Sequence, residues 1–131
     1  MNPDVEKIRH ALEPEADIIL AMVYGSLASE QTHPESDADV AVLASAPLTT
    51  RRRAQLIEKI TLATGRPVDL IDFRTAGLPV LQSIHTGGKL IFTKNDAAQG
   101  ELLSRYLIDR ANFGPYRERI LDERRQAWIN A

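Results

Sequence analysis

The sequence has no cysteine among its 131 residues, few aromatic residues and almost no net charge. Without cysteine, neither a disulfide framework nor a thiolate metal site can form. A formal net charge of −2 argues against broad nucleic-acid binding by phosphate neutralisation. No apolar run approaches the length of a transmembrane helix, and none near the N-terminus has the charge pattern of a signal peptide. These absences predict a cytoplasmic protein without a membrane partner.

What is present is the composition of one globular domain. Hydrophobic residues make up 44% of the chain and charged residues 26%, which is typical of a soluble domain with a single core. Strand-like and helix-like segments alternate, so we expect an α/β (α+β) fold with a small mixed sheet of about four strands flanked by helices. We interpret residues 1–131 as a single domain whose C-terminal part, from about residue 95, is a helical extension.

Two apolar segments, Ile18–Tyr24 and Val40–Leu43, are each typical of a buried strand. Asp37 and Asp39 lead into the second segment. Residues i and i+2 of a strand point to the same face, so the two carboxylates should lie side by side. Such a pair repels itself unless a cation lies between the two charges, and oxygen ligands suit a hard divalent ion such as Mg²⁺.

The first of these segments ends in a Gly-Ser turn, Gly25-Ser26. Glycine allows the backbone to approach a ligand closely, and a helix start after the turn would offer unpaired N–H groups and a positive dipole end to a phosphate. A turn of small residues after a strand is common by itself. The aspartate pair that follows the turn makes it a candidate phosphate-binding site.

A third strand is predicted at residues 66–73, and an acid interrupts its apolar residues. Asp69 lies between Val68 and Leu70, so we expect a buried or half-buried carboxylate that needs a partner. Asp72 competes with it as a site residue, but it lies near the end of the strand and could instead cap the turn that follows. In a regular strand the two acids cannot share a face.

Gly25, Ser26, Asp37 and Asp39 together form the pattern G-S-x10-D-x-D, which is the signature of the polymerase-beta-like nucleotidyltransferase superfamily. Within it, the chain resembles, over nearly its whole length, the minimal nucleotidyltransferase (MNT) antitoxins of HEPN/MNT toxin–antitoxin systems. The resemblance implies a type VII antitoxin that transfers AMP from ATP to a tyrosine hydroxyl of a cognate HEPN ribonuclease toxin. It also implies a hetero-oligomer with that toxin.

The same resemblance implies roles for five residues. Asp37, Asp39 and Asp69 would bind Mg²⁺, two ions in all, and Asp69 could also act as the base for the attacking hydroxyl. Gly25 and Ser26 would hold the β and γ phosphates of ATP and orient the pyrophosphate to leave.

Two other functions stay open. A non-catalytic antitoxin could neutralise its toxin by binding and masking it. The stretch Ala28-Ser29-Glu30 favours this alternative, because many relatives have arginine or another long polar residue here, followed by glycine. A nucleotidyltransferase that modifies a small molecule is the other alternative, although such enzymes usually carry an additional substrate domain.

Helical periodicity predicts the remaining elements. A first helix is expected from Asn2-Pro3-Asp4, with an apolar stripe of Val5, Ile8 and Leu12. A second helix is expected at about residues 51–64, with Ala54, Ile57 and Leu62 among its buried positions. A third helix is expected at 75–85 and a strand at 89–92. Arg51, Arg52 and Arg53 open the second helix, where cations oppose the helix dipole, and we interpret them as a solvated face.

The last helical region should begin at Asn95 or Asp96. Its apolar face is predicted to comprise Leu102, Leu103, Tyr106 and Leu107, and Gly114-Pro115 should break or kink it. The extension holds many of the aromatic residues, interleaved with arginines: Tyr106, Phe113, Tyr116 and Trp128, with Ile129 beside the last. Aromatic residues and arginine are enriched at interface hot spots, so the extension is a candidate partner-binding segment.

Overall fold

The computed structural model describes residues 2–29 and 36–129; in the last helix it describes side chains only as far as residue 112, at 119 and at 122–127. The elements are α1 (Pro3–Leu12), β1 (Ile18–Tyr24), a 3-10 turn (Gly25–Leu27), β2 (Ala38–Ala44), α2 (Thr50–Thr64), β3 (Val68–Asp72), α3 (Leu78–Gly87), β4 (Lys89–Thr93) and α4 (Asp96–Ile129). The predicted α/β class with a small mixed sheet is confirmed.

The sheet has the strand order β3-β2-β1-β4. Strand β1 is antiparallel to both of its neighbours, whereas β2 and β3 are parallel. A parallel pair needs a crossover connection, which α2 supplies. As a result, β1 ends where β2, β3 and β4 begin, and we call this the site end of the sheet. The opposite end, where β1 begins, is called the far end.

Helices cover both faces of the sheet. On one face, α1 and α2 pack over a core that includes Ile8, Val23, Val40, Leu56 and Ile60. On the other face, α3 and the start of α4 cover a smaller apolar cluster, whose buried members are Leu20, Tyr24, Ala41, Leu43, Phe73 and Ile84. In the described part of the chain, no helix is long and apolar enough to cross a membrane.

Two helix starts were predicted correctly from capping residues. Asn2 Oδ1 accepts a hydrogen bond from Asp4 N at 2.8 Å, and the predicted stripe of α1 is buried. Asn95 Oδ1 accepts from Ala97 N at 3.0 Å and from Ala98 N at 3.3 Å, so Asn95 caps α4. Each side chain provides an acceptor for N–H groups that have no partner within the helix.

The predicted core face of α2 was only partly correct: Ile57 packs against the core, but Ala54 and Leu62 are exposed. Leu56 and Ile60 are its buried residues, Ile57 is half-buried, and Ala54 is exposed. Leu62 is 78% exposed, because it lies two positions beyond Ile60 and therefore on the opposite side of the helix. The end of α2 was predicted correctly: Gly65 follows it in the left-handed conformation, with φ of 71°.

The start of α3 also differs from its prediction. The helix begins at Leu78, with Pro79 in its first turn, rather than at Thr75. Residues 75 and 76 belong to a tight turn, since Thr75 N and Ala76 N both donate to Asp72 O, at 3.1 and 3.0 Å.

Helix α4 continues past Gly114-Pro115 to Ile129, so the predicted break does not occur. Proline removes one backbone donor, but the turns on both sides of it keep their own hydrogen bonds. The predicted apolar face is only partly covered: Tyr106 is buried and Leu102 half-buried, while Leu103 and Leu107 are 45% and 50% exposed. The predictions for the Phe113, Tyr116, Trp128 and Ile129 side chains lie outside the described side chains, as Glu30 lies outside the described residues.

Candidate active site

Asp39 lies at the centre of the site end, with a neighbour on each side. It pairs with Tyr24 of β1 in the antiparallel ladder and with Asp69 of β3 in the parallel ladder. Paired residues of adjacent strands project from the same face of a sheet. The structure therefore brings Asp39 and Asp69 together on one face of the sheet. Asp37 lies just before β2, exposed, rather than within the strand.

Gly25 approaches Asp39 so closely that any side chain at position 25 would displace the Asp39 carboxylate. Its φ is 63°, which favours glycine, and a Cβ placed on it would collide with Asp39 Oδ2. The Gly-Ser turn and the aspartate pair are distant in sequence, but here they are in direct contact. This contact is the geometric reason for glycine at position 25.

The turn itself is shorter than expected. It is a single 3-10 turn, Gly25–Leu27, in which Ala28 N and Ser29 N both donate to Gly25 O at 3.2 Å. Within residues 25–29, a 3-10 turn therefore replaces the predicted α-helix start. Any phosphate held here would be bound by individual N–H groups and by the half-buried Ser26.

At the site end, the negatively charged side chains of Asp37, Asp39 and Asp69 lie close enough to affect one another. Burial, then the charges of Asp69 and Asp37, raise the pKa of Asp39 above its ordinary value. Burial, followed by the charges of Asp69 and Asp39, raises the pKa of Tyr24 to about 12. A cation bound nearby would oppose both shifts, because it would favour the ionised forms of Asp39 and Tyr24.

The acids fit a metal that is shared with a substrate. Within residues 2–29 and 36–129, no three His, Cys, Asp or Glu side chains converge into a complete metal site. Asp69, the second residue of β3, is exposed at the site end, contrary to the prediction that it is buried or half-buried. Mg²⁺ is usually bound by one or two carboxylates together with substrate phosphates. Asp37, Asp39 and Asp69 could supply such carboxylates when a nucleotide supplies the remaining oxygens.

Asp72, the competing acid, is structural. Its side chain points to the opposite face and is 1% exposed. Asp72 Oδ2 accepts a hydrogen bond from Leu48 N, and Asp72 Oδ1 accepts one from Arg74 N, both at 2.9 Å. The expectation that Asp72 could cap the turn after the strand is confirmed.

Sequence reasoning missed Tyr24 as a member of this site. Tyr24 is the last residue of β1, so the antiparallel pairing of β1 and β2 sets its ring beside the Asp39 carboxylate. Tyr24 directly precedes Gly25, so a predicted antiparallel pairing of the two apolar segments would have placed it beside Asp39.

The chain is similar to a known protein family over most of its length. Residues 6–97 match the family model described as Polymerase beta, Nucleotidyltransferase. The chain is also 36% identical, over 73 residues, to the protein adenylyltransferase MntA of Shewanella oneidensis. That match covers 56% of this chain and 52% of MntA, so the chain spans about half the length of the curated relative it matches.

Two solved structures have the same fold over nearly the whole chain. The crystal structure of a toxin-antitoxin with AMP-PNP aligns with a TM-score of 0.81 at 27% identity, covering 91% of this chain and 96% of that one. The crystal structure of the toxin-antitoxin MntA-HepT aligns with a TM-score of 0.75 at 25% identity, covering 92% and 95%.

Proposed function

The chain belongs to the polymerase beta nucleotidyltransferase family, and on this premise we propose that it is the antitoxin of a type VII toxin–antitoxin pair. In this proposal it transfers AMP from ATP to a tyrosine hydroxyl of a cognate HEPN ribonuclease toxin and so neutralises it. The observation that carries the proposal is the cluster of Asp37, Asp39 and Asp69 beside Gly25. A related protein adenylyltransferase and a similar toxin-antitoxin with AMP-PNP support it.

The proposed chemistry is a displacement at the α-phosphorus of ATP. The tyrosine oxygen of the toxin forms a bond to that phosphorus, the bond from it to the oxygen bridging to the β-phosphate breaks, and pyrophosphate leaves. The phenolic proton needs an acceptor. We assign this role to Asp69, because its carboxylate is exposed and lies in register with Asp39.

The remaining site residues would bind and orient the triphosphate. Ser26 and the N–H groups of the 3-10 turn would hold the β and γ phosphates, next to the carboxylate of Asp39. Asp37, Asp39 and Asp69 would hold two Mg²⁺ ions, which would neutralise charge on the attacking and leaving oxygens. Without such cations, the three carboxylates would repel the nucleotide.

We propose that the toxin binds along the C-terminal extension, from about residue 95 to 131. Helix α4 has 34 residues and is therefore about 51 Å long, far longer than the sheet it covers. Beyond Tyr106, none of the described side chains is buried. Leu103, Leu107 and Ile108 are 45%, 50% and 59% exposed, and a partner helix could cover these apolar side chains.

Mass spectrometry of the toxin would test transfer against masking. After incubation with the antitoxin, ATP and Mg²⁺, the toxin should gain the mass of one or more AMP units on a tyrosine. It should then remain inactive once the antitoxin is removed. Asp39→Ala should abolish both effects, whereas Glu58→Ala, which removes an exposed acid on α2, should abolish neither.

The masking alternative has the opposite outcome. If Asp39→Ala still neutralises the toxin at equimolar amounts, with no gain in mass, binding alone is sufficient. The transfer mechanism would then be wrong, although the family membership would stand.

Truncation would test the partner-binding role of the extension. A chain ending at Gly114 keeps every described buried side chain, so it should fold and bind ATP. It should nevertheless lose most of its affinity for the toxin. If Trp128 is a hot spot, Trp128→Ala should cost on the order of 2 kcal/mol or more in binding. Unfolding of the truncated chain would instead assign the segment to the core.

A further inference from the structure

We propose that the dipeptide Arg66-Pro67 positions Asp37 for catalysis, a role that rests on the proposed function. The Arg66 Nη1 donates to Ser36 O at 3.0 Å, and the Pro67 carbonyl accepts from Ala38 N at 2.8 Å. Asp37 lies between these two contacts. The peptide groups on both of its sides are therefore held by one dipeptide of the neighbouring segment.

Asp37 depends on these contacts because it lies outside the sheet. The pairing of β2 with β3 begins at Ala38 and Val68, so no ladder hydrogen bond fixes residue 37 itself. Its side chain is exposed and is not packed in the core. Yet its charge acts on Asp39, whose pKa it helps to raise. The position of this carboxylate thus depends on its backbone, which Arg66-Pro67 hold on both sides.

Arg66 is itself firmly anchored. Its side chain is 8% exposed, and its Nε donates to Asp4 Oδ2 at 2.6 Å. Burial opposes the charge of Asp4, but the hydrogen bond and charge of Arg66 hold the pKa of Asp4 below its ordinary value. Asp4 lies in the first turn of α1, so Arg66 connects α1 to the loop that carries Asp37.

The contacts need the planar fork of arginine. One side of the guanidinium faces the carboxylate of Asp4, while another nitrogen reaches Ser36 O. Lysine has a single nitrogen on a flexible stem, so it cannot reproduce both contacts in the same geometry. Arg66→Lys should therefore keep the charge and the fold but loosen the loop.

The chain offers a matched control at the far end of the sheet. Arg52 makes a two-point contact with Asp17, from Nε to Oδ2 at 2.9 Å and from Nη2 to Oδ1 at 2.6 Å. It thus resembles Arg66 in being an arginine paired with an aspartate, but it does not touch the loop of Asp37. Arg52→Met should lower stability without affecting residues 36–38.

Amide hydrogen exchange gives a readout that does not depend on activity. In Arg66→Met we expect exchange at residues 36–38 to be about tenfold faster than in the wild type, because a hydrogen bond from a charged donor is lost. Arg66→Lys should fall between the two, and Arg52→Met should match the wild type there. If both methionine variants give the same exchange at 36–38, the positioning role is overturned.

Kinetics would connect this loop to catalysis. For Arg66→Met we expect kcat for AMP transfer to fall about 10- to 100-fold, since small misplacements of a reacting group are costly. Asp4→Asn should cause a smaller fall, because the contact of Arg66 with Ser36 can persist. Arg52→Met should keep its kcat when assayed below its thermal midpoint, and an equal fall in kcat would refute the role. If the wild type transfers no AMP, the proposed function fails, while the exchange experiment still decides whether Arg66 orders the loop.

Discussion

The carboxylates at the two ends of the sheet lie in opposite electrostatic environments. At the far end, Asp17 is paired with Arg52, and Asp72 accepts hydrogen bonds from two backbone N–H groups. At the site end, Asp39 and Asp69 are paired residues of the neighbouring strands β2 and β3, and Asp37 lies close by. Acids that stabilise a fold have partners, whereas acids held next to other acids reduce its stability unless a ligand intervenes.

The pKa shifts express the same contrast. The hydrogen bond of Arg52 lowers the pKa of Asp17, and burial only partly opposes this. Burial raises the pKa of Asp39, and the charges of Asp69 and Asp37 raise it further. The first arrangement stabilises an ionised group and the second destabilises one. A cation that arrives with a substrate would stabilise the ionised form of Asp39.

The largest effect should come from removing two charges at the site end. Asp37→Asn combined with Asp39→Asn should reduce AMP transfer by more than about 1,000-fold, because two groups that act on developing charge are lost together. The same variant should lose the rise in thermal midpoint that ATP with Mg²⁺ produces. Asp17→Asn at the far end should retain both. An unchanged ATP·Mg²⁺ shift in the double variant would contradict the assignment.

A glycine substitution should have the next largest effect. In Gly25→Ala, the new Cβ would collide with Asp39 Oδ2, so the carboxylate must move. We expect transfer to fall about 100-fold. Gly65→Ala is the control: its φ of 71° imposes a similar backbone strain, but no atom lies within 4 Å of its Cβ. It should cost about 1 kcal/mol of stability and leave transfer intact. Equal activity in the two variants would show that the contact with Asp39 is unimportant.

A smaller effect, on stability alone, is expected from Asp72. Asp72→Asn keeps the shape of the side chain but replaces one of two acceptor oxygens with an amide. One of the two N–H groups, on Leu48 or Arg74, then loses its partner. The free energy of unfolding should fall by about 1–3 kcal/mol, measured by urea denaturation. Folded protein should still transfer AMP, and a specific loss of transfer would return Asp72 to the site.

The site was more predictable from the sequence than the contacts that support it. Strand β1 and the positions of Gly25, Asp37 and Asp39 follow from local patterns of a few residues. A capping role for Asp72 could be predicted, because this residue lies near the end of its strand. The exposure of Asp69 could not be predicted, because it depends on how far α3 and α4 extend over that face.

The arginines show why the rest was missed. Arg52 was interpreted as part of a solvated face, yet it pairs with Asp17, 35 residues away. Arg66 was predicted only to lie in the third strand, which in the structure begins at Val68, and its partner Asp4 is 62 residues away. Such pairs form only after helices and strands have packed, so no short window of sequence contains them. The error on α2 has a different, local cause: Leu62 lies two positions beyond Ile60 and therefore on the opposite side of the helix.

The smallest predicted effect is on the stability of the protein without ligand, and it should have opposite signs at the two ends. Because the pKa of Asp39 is raised in the folded state, ionising this group destabilises the fold above that pKa. Asp39→Asn should therefore raise the thermal midpoint at neutral pH by at most a few degrees. The gain should shrink as pH falls through the raised pKa of the folded state towards the ordinary value of 3.8, where the wild type is protonated too.

Asp17→Asn should do the reverse. The pKa of Asp17 is lowered in the folded state, so its contribution to stability is fully present above its ordinary value of 3.8 and is lost as pH falls through the folded value. The variant should melt below the wild type at neutral pH, and the two should converge in acid. Midpoints measured across this range for both variants give a direct comparison of the two ends. If Asp39→Asn also lowers the midpoint at neutral pH, then Asp39 stabilises the fold as Asp17 does, and its crowding by Asp37 and Asp69 does not distinguish a functional site.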